Sequence, residues 1–252
     1  MIKKLALTFV LAICLSFMVI GVRGHNPGYE IVAVYGSTPT IDGSMSVGEW
    51  DDAALVSFNN TEVFVKQDGV NFYIGFNVSD ATFNEDSVGF CIDVDHDGGL
   101  TLQPDDVGLG VNRTGTLIEA NVIGGTWALK EVSGWTAVVN STSDMWQAEF
   151  NITYSKINVV GGVEKTIGAV FACYRGLEGS SPNKFSWPPD ISSGPGGNPS
   201  MWGDITSAGY NWIPEFPPWI ILPALLVIAM LTTLLRKKTS TYRLSLREIE
   251  QS

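Results

Sequence analysis

The chain has 252 residues, 45% of them hydrophobic and only 16% charged, with 26 acidic against 15 basic side chains. Between residues 25 and 218 the imbalance sharpens to 24 acidic against 7 basic, a formal charge near −17. Such a field repels phosphate and argues against nucleic acid as a partner, whereas bound divalent cations would relieve it.

Residues 1–24 begin with Lys3 and Lys4, run apolar to Val22 and end on the small Gly24. That is the order of a secretory signal peptide, which places the domain after it outside the cell. Residues 25–206 have the length of one ordinary domain with a substantial core. Strands are predicted at 61–66 and 70–78, joined as a hairpin by Asp68-Gly69, then at 88–94, 116–123, 126–132, 135–140, 146–152 and 166–174. Helical spacing is confined to 47–55 and 155–157. Many short strands with glycine-rich turns predict an all-β fold, a single antiparallel β-sandwich of jelly-roll type.

Within that domain one stretch has metal-ligand spacing. Asp93, Asp95 and Asp97 alternate ahead of Gly98, Gly99 and Leu100, as in the opening of a calcium loop. The twelfth position is Pro104 rather than a bidentate Glu, so Asp105 or Asp106 would have to supply the remaining carboxylate. The expected cofactor is therefore calcium; the alternative is an acidic turn that binds nothing specific. His25 and His96 are the only histidines, which leaves no Cys/His zinc cluster. Glu119 and Glu149 fall in predicted strands and could in principle flank a glycosidic bond, but no cleft motif accompanies them. No catalysis is expected.

Cys14 leaves with the signal peptide. Cys91 and Cys173 remain, in apolar strand-like stretches outside the cell, and are read either as a disulfide between core strands or as two separate buried thiols. Glycosylation sequons begin at Asn59, Asn77, Asn112, Asn140 and Asn151. Tryptophan is frequent, and indole faces either stack on sugar rings or fill sandwich cores. Trp50 and Trp146, in apolar contexts, are expected in the core. Residues 179–203, rich in Pro, Gly and Ser, read as a long ordered loop carrying Trp187 and Trp202. With Trp127 and Trp135, these two are the candidates for sugar stacking.

Residues 207–218 form a short linker into an apolar run at 219–235. Its 17 residues span roughly 26 Å as a helix, near the lower limit for crossing a bilayer. Arg236, Lys237 and Lys238 come at once after it, so 236–252 is expected as a cytoplasmic basic tail and the β domain as the external part.

Several segments in series resemble family 9 carbohydrate-binding modules and their DOMON-like relatives. They are Pro39-Thr40-Ile41-Asp42-Gly43 with Gly48-Glu49-Trp50-Asp51-Asp52-Ala53, then FYIGFNVSD (72–80), VGFCIDVDHDGG (88–99), WQAEFNITYSKI (146–157), SWPPD (186–190) and WGDI (202–205). The resemblance covers about 36–206 and implies a β-sandwich, often with structural calcium, that holds sugar chain ends between two tryptophans. That tryptophan pair does not map onto particular positions here. Haem-carrying relatives use Met/His or similar axial ligands, for which Met145 and His96 are the only pairing available. A second resemblance lies at Pro214-Glu215-Phe216-Pro217, which with the apolar run and basic triplet looks like an archaeal PEF-type sorting signal. It implies an archaeosortase-class processing enzyme and a lipid anchor. Residues 239–252 extend past the usual end of such a signal, so a retained membrane helix is the alternative.

Together these readings predict a surface-anchored, non-catalytic module that binds carbohydrate or another extracellular glycan. The alternatives are a structural or adhesive envelope protein using the sandwich for protein contacts and, third, a haem-binding electron-transfer domain.

Overall fold

The computed structural model describes residues 25–79, 86–142, 144–177, 180–189 and 196–207. The expected signal peptide, the linker beyond Ser207, the 214–217 motif, the 219–235 run and the tail lie outside the described residues. The strands, in chain order, are β1 (Glu30–Tyr35), β2 (Ala54–Phe58), β3 (Thr61–Gln67), β4 (Asn71–Val78), β5 (Ser87–Asp93), β6 (Val107–Asn112), β7 (Leu117–Ile123), β8 (Thr126–Lys130), β9 (Trp135–Ser141), β10 (Trp146–Thr153), β11 (Lys165–Leu177), β12 (Ser180–Trp187) and β13 (Gly203–Ser207).

The predicted hairpin forms as read. Gly69 takes a φ of 89°, and the Asp68 carboxylate accepts from the amides of Val70 (2.9 Å) and Asn71 (2.8 Å), so side chain and backbone fix the same turn. β2 adds to β3 through a second tight turn in which Asn59 and Asn60 both have positive φ. β10 then pairs with β4, and β9 with β10, completing one sheet. The other sheet runs β8-β7-β6-β5-β11-β13-β1, with β12 on the remaining length of β11.

The sandwich is mixed rather than purely antiparallel. β1 runs parallel to β13 over Glu30–Ala33 and parallel to β3 over Val34–Tyr35, so one strand belongs to both sheets. Two further expectations are corrected. Residues 47–55 are turns leading into β2, because no helical hydrogen-bond ladder forms there; 155–157 falls in a single 3-10 turn, Tyr154–Ile157. The loop read at 179–203 contains β12, whose polar Ser-Pro-Asn-Lys sequence hides a strand that pairs with β11 in an antiparallel hairpin.

The core lies between the sheets. Phe72, Ile74 and Phe76 of β4 face Ile152, Phe150 and Ala148 of β10 in register, and all six are buried. From the opposite sheet come Val88, Phe90 and Ile92, paired with Cys173, Phe171 and Ala169. Edge-on contacts join the layers: Phe90 to Phe150 at 5.2 Å and Phe76 to Phe171 at 6.0 Å between ring centroids. Trp50 and Trp146 are buried, as expected.

The Cys91–Cys173 bridge is not formed, and both thiols are free. Cys173 pairs with Val88 and Cys91 with Val170, an odd offset along β5 that turns the two side chains to opposite faces of the sheet. Cys173 belongs to the core, whereas Cys91 packs near Val170 and Trp202 outside it.

Candidate functional site

The outward face of the second sheet is unusually bare. Gly89 of β5, Gly108 and Gly110 of β6, Ala120 of β7 and Ala172 of β11 all point away from the core, a consequence of their pairing with outward Cys91 and Val170. At Gly89 a Cβ would sit 2.6 Å from the Leu109 carbonyl oxygen, so the floor tolerates no side chain there. The result is a hollow of about 520 Å³, within the range of small-molecule sites.

Its walls are Trp127, Tyr174, Ile118 and Leu102, with Gly196 and Gly197 at the rim. Trp127 is held firmly. Its Nε1 donates to the Gly196 carbonyl oxygen (2.7 Å), and its ring lies over Gly108, where a Cβ would be 3.5 Å away. Burial pushes the Tyr174 phenol up to about 12, so it stays neutral. Burial, then Asp106, pushes the Cys91 thiol at the base up to about 12 as well, leaving it an unreactive thiol at neutral pH. Among the described residues no charged side chain lines the hollow, and its polar side-chain groups are hydroxyls, one thiol and the Trp127 indole N–H. In so acidic a domain this selects for an uncharged ligand with an apolar face.

The four tryptophan candidates separate clearly. Trp135 is buried, stacked on Phe150 at 5.8 Å, with its Nε1 donating to Glu119 (2.8 Å). Trp187 packs on Phe171 (5.7 Å) and Trp202 is fully buried beside Val170, so neither offers a face to a ligand. Trp127 alone of the four lines the hollow. Sequence reading missed Tyr174 and the glycine floor, although Gly108 and Gly110 alternating in VGLGVN was the available signal.

Glu119 and Glu149 do not form a catalytic pair. Burial alone would raise the Glu119 carboxyl, but Lys156, the Ser133 amide and the Trp135 indole outweigh it and hold it at about 2. Glu149, in the other sheet, accepts from Trp50 Nε1 (2.9 Å) and the amides of Gly43 (2.8 Å) and Asp42 (3.0 Å). Both tie loops down. Among the sequon asparagines, Asn59 and Asn140 are exposed, while Asn77, Asn112 and Asn151 are half-buried. Met145 sits in the turn between β9 and β10, and His96 beside Asp204.

After β5 the acidic residues converge. Asp93, Asp95 and Asp97 bring carboxylate oxygens within 4.8 Å of one another, and so do Asp93, Asp105 and Asp106. Asp93 is buried and already accepts from the amides of His96 (2.7 Å) and Gly98 (2.9 Å) and from His25 Nε2 (2.9 Å). It therefore organises the loop. Asp106 is different. Its Oδ2 accepts from the Gln103 amide (2.7 Å), but its Oδ1 is buried with no hydrogen-bond partner. Burial, opposed by Gln103 and reinforced by Asp93, Asp105 and Asp97, pushes its carboxyl up to about 7. Desolvation, with Asp105, Asp97 and Asp93 nearby, raises Asp95 to about 6. An orphaned oxygen among repelling carboxylates fits a hard, oxygen-seeking cation.

No protein-family model matches the sequence, and no curated protein matches it significantly. Among solved structures the chain is similar to a family 9 carbohydrate-binding module from Caldicellulosiruptor kristjanssonii in complex with cellotriose, with a TM-score of 0.59 and 19% identity. That match covers 75% of this chain and 98% of the other. A module of the same family and organism, in complex with glucose, matches with a TM-score of 0.57 at 18% identity, covering 74% and 99%. The shared property is the fold, as the sequence resemblance implied.

Proposed function

We propose that this chain is a non-catalytic carbohydrate-binding module displayed outside the cell, with the hollow beside Trp127 as its sugar site. The observation that carries the proposal is an uncharged, aromatic-walled hollow in an acidic domain. Pyranose rings are neutral, with apolar C–H faces suited to an indole and hydroxyls suited to Tyr174 and the rim carbonyls. The bound cellotriose and glucose in the structural neighbours support the same ligand class.

Titration calorimetry of the purified chain with soluble oligosaccharides, cellotriose and glucose included, tests this. Trp127→Ala should weaken binding at least about tenfold, the loss expected when a central aromatic anchor is truncated. Its melting temperature should stay near wild type, because the ring lies outside the main core. Equal affinity in the variant would remove the hollow as the site.

The proposal includes calcium on the loop after β5. Asp95, Asp105 and Asp106 would supply oxygens, with Asp97 at the mouth and Asp93 ordering the amides beneath. The ion would neutralise charge that otherwise strains the end of β5.

Display at the surface rests on the signal-like 1–24, the 214–217 motif and the apolar run with its basic flank. The partners there are the membrane and an archaeosortase-class enzyme. Protease added to intact cells should degrade residues 25–218. Survival of that region until lysis would contradict external display.

A further inference from the structure

We propose that His25 Nδ1, His96 Nε2 and the Asp204 carboxylate bind one divalent transition-metal ion of the zinc–copper class. This site is separate from the sugar hollow and uses a different donor set from the calcium site, although His96 lies between Asp95 and Asp97 on the same loop after β5. Its three ligand atoms come from the segment before β1, the loop after β5 and β13, and they lie within 4.8 Å of one another.

The register of three strands builds it. Asp93, Gly168 and Asp204 stand side by side across β5, β11 and β13. The His25 ring sits directly over Gly168, where a Cβ would fall 2.1 Å from Nε2, so only glycine admits the imidazole. One ring nitrogen, Nε2, lies 2.9 Å from Asp93 Oδ2. A carboxylate there requires a proton on Nε2, which leaves the lone pair of the neutral ring on Nδ1. This is the arrangement in which an outer carboxylate fixes the tautomer and orientation of a metal-bound histidine.

The inner nitrogen lacks a suitable partner. His25 Nδ1 is buried and makes no hydrogen bond, although Asp204 Oδ1 is 3.0 Å away. The His96 ring approaches within 4.5 Å of the His25 ring, and its Nε2 is 2.9 Å from the same Asp204 oxygen. Two imidazole nitrogens and one carboxylate oxygen thus converge on one point. That donor set suits zinc or copper(II) and is poor for calcium, which takes oxygen. The His25 side chain is fully enclosed, while His96 and Asp204 are 17% and 23% exposed, so the site opens to solvent on their side. Three protein ligands leave room there for water.

The test uses the full purified chain, stripped with chelator and then held in excess calcium to fill the acidic loop. Zinc titration should show one equivalent binding with Kd below about 1 µM. His96→Asn should weaken it by more than about 100-fold, beyond the ~10–100-fold that loss of an outer partner costs; asparagine also tolerates the left-handed backbone at this position (φ 60°). With copper(II), paramagnetic resonance should show two coupled nitrogens in the wild type and one in the variant. His25→Gln should behave like His96→Asn, and if it fails to fold the His96 variant decides alone. Absence of zinc binding, binding unchanged in His96→Asn, or competition by calcium would each overturn the site.

Discussion

In the presence of chelator, the melting temperature of this protein should fall as pH rises from about 5.5 to about 7.5, and millimolar calcium should reverse the fall. Over that range depressed carboxyls such as Glu119 no longer contribute a slope. Asp106 sets the sign. Its carboxyl stands at about 7 in the fold, against about 3.9 for an aspartate in an unfolded chain. Between those values the folded state keeps a proton that the unfolded state has released, so stability declines as pH rises through the window. Below the unfolded value both states are protonated and Asp106 contributes no slope. A tenfold difference in proton affinity between the two states is worth about 1.4 kcal/mol, so the fall amounts to a few kcal/mol. Calcium takes the deprotonated oxygens, and its effect should be largest above pH 7. At a hundredfold excess over Kd it adds ~2.7 kcal/mol. Asp106→Asn should melt higher than wild type in chelator at pH 7.5 and lose most of the calcium response. Asp95→Ala should also blunt that response, and magnesium should replace calcium poorly. Superimposed wild-type melting curves in chelator and in calcium would remove the site.

The second large effect is expected at Phe150. Its ring is fully buried, stacked on Trp135 and met by Phe76 from its own sheet and Phe90 from the facing one. Phe150→Ala should cost about 3–5 kcal/mol, the sum of lost transfer energy and the cavity left between the layers. For a domain of this size that corresponds to roughly 10 °C in Tm by calorimetry. A variant melting within a degree or two of wild type would contradict a core that holds the sheets together through this residue.

Legibility in the sequence differs from element to element. β3 and β4 were legible because apolar residues alternate and Asp68-Gly69 marks the turn. β6 was not, since its outward positions are Gly108 and Gly110 and the contrast between faces disappears. For the same reason the hollow was invisible, being made largely of absent side chains. The four tryptophans could not be sorted beforehand. What separates them is whether an indole meets Phe150 or Phe171 in the core, is covered beside Val170 on the outer face, or leans on Gly108 and Gly196 at the hollow. The parallel pairings of β1 and the meeting of His25 with Asp204 depend on long-range register, about which local pattern is silent. The aspartates after β5 could be read because their spacing is local. That Asp93 is occupied by amides while Asp106 Oδ1 is left without a hydrogen bond is a property of the fold.

The claim that the hollow holds sugar is tested most directly by the tryptophan indole N–H signals in a nuclear magnetic resonance titration with cellotriose. The Trp127 signal, donated to the Gly196 carbonyl at the rim, should shift in proportion to occupancy, while those of Trp135, Trp187 and Trp202 stay nearly fixed. A spectrum in which Trp127 does not move at saturating sugar, or in which a buried indole moves instead, would contradict it.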